Sequence, residues 1–170
     1  TGSGDDQIDG NASDNILSGG DGDDIIDGKS GDDILNGGLG DDQYRASDGD
    51  DVIVAGGGTD TLVISADYEL KGMVLDAADG DMTLTLDKDG NDHTVTITAQ
   101  VSDPVTTLRI YSDASAYSDY SLVISRDAAT GAYSAATDHP TKMAGTSTDD
   151  ELIGGAGDDA IIGNDGDDIF

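Results

Sequence analysis

The chain has 170 residues, with 37 Asp plus Glu against 7 Lys plus Arg and a formal net charge of −30. An acidic surface of this strength excludes nucleic acid as a partner and disfavours an anionic membrane face, because like charges repel. Only 35% of the residues are hydrophobic and 4% aromatic, a balance that ordinarily signals disorder, yet the acids recur in order, so something cationic is expected in the folded state.

From Thr1 the chain divides into seven consecutive units of nine: TGSGDDQID, GNASDNILS, GGDGDDIID, GKSGDDILN, GGLGDDQYR, ASDGDDVIV and AGGGTDTLV. The fourth position is Gly in all but one, where Ser13 stands, and the sixth is Asp in all but one, where Asn15 stands. The eighth is always large: Ile8, Leu17, Ile26, Leu35, Tyr44, Ile53 and Leu62. Self-similarity at a fixed short period is the mark of a solenoid. Each unit reads as a turn of six followed by a strand of three. Its glycines permit positive φ and close backbone approach. The middle strand residue points inward. One such strand buries almost nothing, so the units must stack.

Residues 64–144 lose the period and gain alternation. DMTLTLD (81–87) and HTVTITAQV (93–101) read as strands of period two, joined across the turn sequence KDGND. TLRIY, SLVIS and AYSA read as further strands. The outward positions around Ile53 and Leu62 are apolar (Val52, Val54, Val63), which suggests that a sheet or small sandwich covers the end of the first block. Residues 145–170 resume the repeat as GTSTDDELI, GGAGDDAII and GNDGDDIF. Three regions are therefore expected: repeats over 1–63, a β-rich middle over 64–144, and a second repeat block over 145–170. The start at Thr1 without Met and the stop at Phe170 inside a repeat read as a segment of something longer. The chain holds no cysteine to staple it. It has neither an 18-residue apolar run nor a signal peptide.

The chemistry of the turns favours calcium. Carboxylates and exposed turn carbonyls suit a hard cation that takes six to eight oxygens, whereas zinc or copper would want His or Cys. The two histidines, His93 and His139, lie outside the repeats.

The units match GGxGxDxUx, with GGDGDDIID and GGAGDDAII fitting at every position, and the chain thereby resembles the calcium-binding repeats-in-toxin (RTX) proteins. That resemblance implies an all-β fold with a right-handed parallel β-roll in two blocks, two units per coil; the alternating middle between them is expected to be antiparallel. It implies calcium between turns two units apart on one edge. Carried over by position, Asp6 pairs with Asp24, Asp24 with Asp42, and Asp42 with Asp60; Asn15 with Asp33 and Asp33 with Asp51 line the other edge. Asp150 pairs with Asp168, while Asp159 needs a partner beyond the sequence. The family pattern also recruits turn carbonyls. Those of Gly19, Asp21 and Asp23, of Gly28, Ser30 and Asp32, and of Gly37, Gly38 and Gly40 are the candidates. The fifth-position side chains, such as Asp23, are expected to be solvated charge, since the motif leaves that position free. Asn15 with Ser13 marks the weakest site, and Thr148 an atypical opening repeat.

The resemblance further implies a secreted or cell-surface bacterial protein exported through a type I system. Other domains of a longer parent would be its partners, and this segment would not insert into a membrane. Without metal, stacked carboxylates repel, so folding is expected to be coupled to calcium. An alternative is an adhesive module with a carbohydrate or protein ligand held by 64–144. Catalysis is not expected: His93, Asp92 and Ser112 or Ser115 would make a triad without a nucleophile elbow. Self-cleavage at Asp103-Pro104, a sequon at Asn11, an EF-hand over the Asp21 region and ice binding are all less well supported readings.

Overall fold

The computed structural model describes residues 2–76, 80–98, 105–113, 116–121, 123–126, 133–136, 142–144, 152–153 and 160–162. Eighteen strands and no helix occur among them. Over the first repeats run β1 (Gly2–Ser3), β2 (Gln7–Asn11), β3 (Ile16–Asp21), β4 (Ile25–Lys29), β5 (Ile34–Leu39), β6 (Gln43–Arg45), β7 (Asp50–Gly57) and β8 (Asp60–Ile64). Then come β9 (Glu69–Asp76), β10 (Met82–Lys88), β11 (Asn91–Ile97), β12 (Val105–Tyr111), β13 (Tyr117–Ser121), β14 (Val123–Arg126), β15 (Tyr133–Ala136), β16 (Lys142–Ala144), β17 (Leu152–Ile153) and β18 (Ala160–Ile162).

Alternate units enter opposite sheets. β2, β4, β6 and β8 pair in parallel with Ile8, Ile26, Tyr44 and Leu62 in register. β3, β5 and β7 do the same with Leu17, Leu35 and Ile53. Two units thus make one coil of a parallel β-roll, and the eighth-position side chains fill the space between the sheets. Ile26, Leu35, Tyr44, Ile53 and Leu62 are buried, and Ile8 and Leu17 pack against them from the first coil. Burying each is worth about 1.5–3 kcal/mol. Several strands are longer than the three residues expected. β3, β5 and β7 run past the unit boundary because the glycines that open the next unit keep pairing, as Gly20 does with Gly38 and Gly38 with Gly56.

Among the described residues Tyr44 is the one aromatic ring in the inward file of the first repeats. Its hydroxyl is buried and donates to the Ala55 carbonyl at 2.8 Å. Tyr44→Phe is expected to cost the folded protein about 1–3 kcal/mol, because that buried carbonyl loses its donor. A thermal melt reads this as a lower midpoint, and an unchanged midpoint would show that the bond contributes nothing.

The middle region meets the roll edge-on. β10 and β11 form the expected hairpin, closed by Asp89 and Gly90 at φ 57° and 81°, the two-residue turn geometry that Asp-Gly favours. β11 then pairs in parallel with β7, and β12 with β8, so each sheet gains one further rung. The middle region thus meets the end of the first roll by extending its sheets, while Val54 on the outward side stays 37% exposed. The outward row Ile16, Ile34 and Val52 runs across three neighbouring strands. β9 follows β10 and is paired in parallel by β16, which β18 pairs in turn, while β15 pairs with β17. The second repeat block thus contributes strands at the far end of the first sheet and in a separate small one.

A joint of polar side chains ties the hairpin to the roll. Asp48 accepts from Tyr68 at 2.5 Å and from Lys88 at 2.7 Å. The His93 ring stands edge-on to Tyr68, and its Nδ1 accepts the Gly49 N–H at 2.9 Å. Lys88 and Tyr68 hold the Asp48 carboxyl below the usual carboxylate range.

Candidate metal centre

Five of the seven turns carry an Asp-Asp pair, the exceptions being Asp14-Asn15 and Thr59-Asp60, and the fifth- and sixth-position side chains reach in opposite directions. The sixth-position residue reaches toward the earlier coil. Asp24 Oδ1 accepts the Asp6 N–H at 2.8 Å, Asp42 Oδ1 that of Asp24 at 2.9 Å, and Asp60 Oδ1 that of Asp42 at 2.8 Å. On the other edge Asp33 Oδ1 accepts from Asn15 at 2.7 Å and Asp51 Oδ1 from Asp33 at 3.1 Å. The fifth-position residue reaches toward the later coil: Asp23 Oδ1 accepts the Asp41 N–H at 2.8 Å. Asp5, Asp14, Asp32 and Asp41 do likewise for Asp23, Asp32, Asp50 and Thr59. The expectation that these fifth-position carboxylates are merely solvated is therefore corrected: they staple one coil to the next. The signal was present in the sequence as Asp at six successive fifth positions, from Asp5 to Asp50. A motif that leaves that position free hides it.

The sixth-position residues Asp24, Asp33 and Asp42 are each only 1% exposed. One oxygen of each is used by the neighbouring coil. The other, Oδ2, is buried and has no hydrogen-bond partner. A buried carboxylate oxygen without a donor is costly, more so when charged. Each Oδ2 leans over the first-position glycine of its own turn: a Cβ on Gly19, Gly28 or Gly37 would run into it. Beside Gly19 the Gly37 carbonyl of the next coil also converges, 2.6 Å from where that Cβ would lie. Glycine at position 19 keeps open a space bounded by a carboxylate oxygen and a turn carbonyl from successive coils, and glycine at 28 and 37 leaves room for the carboxylate oxygen.

That donor set fits a hard, irregularly coordinated cation such as calcium. Among the described residues no three His, Cys, Asp or Glu side chains gather into a cage, so main-chain carbonyls would have to supply the balance. The turns of the candidate carbonyl donors, at Gly19–Asp23, 28–32 and 37–41, lie along these two edges. Asp150, Asp159 and Asp168 fall outside the described residues, as do Thr148, His139, Ser115 and the Asp103-Pro104 bond. Among the described residues His93 faces Gly49, Tyr68 and Asp48, and Ser112 Oγ donates to the Ala116 carbonyl, so these two do not meet as members of a triad.

Burial pushes the Asp42 carboxyl up to about 6, reinforced by the charges of Asp24, Asp23 and Asp41. Burial also raises Asp33 and Asp51. A carboxyl raised in the folded state stabilises that state below its unfolded value and loses the contribution as pH rises through the folded one. In a chelator, acidification from pH 7 to about 4 is therefore expected to increase compact strand structure, while with calcium present the apparent affinity falls over the same window. Far-UV circular dichroism checks both, and a metal-free signal that declines monotonically with acid would contradict the assignment.

The RTX calcium-binding nonapeptide repeat model matches residues 1–35, 36–63 and 144–170, together just over half of the chain. A search of curated proteins gives no match. Among solved structures the chain is similar to the solution structure of the AlgE6R3 subunit from the Azotobacter vinelandii mannuronan C5-epimerase. The identity is 18% and the TM-score 0.33, over 56% of this chain and 71% of that one.

Proposed function

The chain belongs to the RTX calcium-binding nonapeptide repeat family, and we propose that it is a segment of a secreted bacterial protein that folds on extracellular calcium and so stiffens and positions neighbouring domains. The observation that carries this reading is the register of Asp24, Asp33 and Asp42, each buried with one carboxylate oxygen lacking a donor. Bound calcium would supply positive charge at those oxygens. The chain itself contributes the rest: fifth-position carboxylates that join coils, glycines that admit close approach, and one aliphatic or aromatic side chain per unit for the core.

Residues 1–63 carry 16 acidic and 2 basic residues, a net of −14. Up to five inter-turn sites could be counted from the aligned pairs, and even full occupancy would leave the roll acidic. Extracellular calcium modules bind at about 10⁻⁴–10⁻³ M, so such a chain would stay unfolded in a cytosol poor in calcium and fold after export through a type I route. The test is small-angle scattering across a calcium titration. The radius of gyration is expected to fall from about 40 Å toward the 15–20 Å range of a folded chain of this length.

One observation favours the adhesive reading as a second function. A cleft of about 520 Å³ lies where the roll meets the middle region, lined among others by Arg45, Val63, Asp67, Tyr111 and Asp113. A glycan array probed with the calcium-loaded chain separates the readings, since specific binding lost in Tyr111→Ala would support a ligand role.

A further inference from the structure

On the edge that carries Asn15, Asp33 and Asp51, the three sixth-position side chains are not equivalent. Asn15 Oδ1 accepts the Asn11 N–H at 2.8 Å, and Asn11 Oδ1 in turn accepts the Ser13 N–H at 3.0 Å. Asn11 and Ser13 stand where the repeat elsewhere prefers glycine, so this turn is closed by its own amides. Asp51 is 2% exposed, and its Oδ2 accepts the hydroxyl of Ser47 at 2.7 Å; Ser47 is itself 4% exposed. Ser47 also replaces a second-position glycine. Between them, Asp33 Oδ2 has no donor at all.

The next rung sharpens the contrast. Beyond Asp51 the paired residue is Val95, buried and without a polar side chain. No carboxylate from the following coil can face Asp51. A short bond from a buried hydroxyl to a carboxylate is charge-assisted and offsets part of the burial cost, which is the task a cation would otherwise perform there.

We infer that this edge of the roll takes a single calcium, at Asp33, and that its two ends are closed by the chain's own donors: the Asn11 amide at Asn15 and the Ser47 hydroxyl at Asp51. This rests on the proposed calcium-folding function. It narrows the sites that the nonapeptide count alone would allow. Departures from the repeat at Asn11, Ser13 and Ser47 are thus terminators of a metal file.

The test counts calcium ions on the full chain by titration calorimetry and native mass spectrometry, at saturating calcium, with circular dichroism confirming the folded state. Asp33→Asn is expected to lower the count by one. Asp51→Asn keeps Oδ1 as the acceptor for the Asp33 N–H and places its Nδ2 to donate to the Ser47 hydroxyl oxygen, so the count is expected to stay unchanged. Asn15→Ala also leaves the count unchanged. Loss of one ion in either of the last two variants overturns the inference. If the wild-type chain binds no calcium, or Asp33→Asn and Asp24→Asn both retain the full count, the proposed function itself fails, and the two failures are distinct.

Discussion

Calcium removal at neutral pH is expected to unfold the repeats outright, with loss of most of the far-UV strand signal and expansion of the chain. Three buried carboxylates present an oxygen with no donor, and an uncompensated buried charge costs about 3–5 kcal/mol. Three of them, about 9–15 kcal/mol together, are comparable to the whole stability of an ordinary domain, about 5–15 kcal/mol. The core offers little in reserve, since each unit contributes one large inward side chain and the first two of these, at Ile8 and Leu17, are only partly buried. Ionised carboxylates in adjacent coils also stand about 4.8 Å apart, one strand spacing. Fifth-position staples do not rescue this, because they only join coils that are already stacked. Restoring calcium should restore the signal. A strand spectrum unchanged in excess chelator at pH 7 would sink the coupling.

The second large effect is expected from one methyl group. Gly38 sits at φ +115°, and a Cβ there would run into the Gly20 carbonyl of the previous coil. Gly56 meets Gly38 in the same way, so the contact repeats along the stack. An L-residue held at such a φ costs about 1–3 kcal/mol by itself. The clash adds to it, because neither backbone can retreat without breaking the register between coils. Gly38→Ala is therefore expected to destabilise the loaded protein by about 3–5 kcal/mol, in the range that marks a specific structural conflict. Gly72 in β9 has nothing within 4 Å of a built Cβ and a φ outside the left-handed region. Gly72→Ala should stay within about 0.5 kcal/mol. Denaturant melts at fixed calcium measure both, and equal effects in the two variants would remove the steric explanation.

Much of this architecture is legible in the sequence because the period states it. Inward positions from Ile8 to Leu62 follow from the spacing alone, and Asp89-Gly90 announces its hairpin through a local turn preference. What the sequence conceals depends on contacts between coils. The opposed reach of Asp23 and Asp24 cannot be read from two identical residues, since only the stacked backbone distinguishes them. The addition of β11 and β12 as parallel rungs is equally hidden: alternation gives a strand its faces but not its partner. The roles of Ser47 and Tyr44 are likewise hidden, because they depend on the Asp51 carboxylate and the Ala55 carbonyl that the stacked coils bring to them. His93 lies outside the period, so the sequence assigns it no role, and its surroundings make it part of a joint.

The valines that follow the last aspartates have a consequence for scale. Val95 stands beside Asp51 and Val105 beside Asp60, both buried in the place a carboxylate would take. A ladder of carboxylates that meets a valine rung cannot be extended through it. In the first sheet, β11, β10 and β9 then separate the first repeats from the strand pair β16 and β18. The length of the mineralised rod is therefore not simply proportional to the number of nonapeptides in the gene. Two aliphatic residues act as the end marks of a ruler, and any second rod must be measured from a fresh origin.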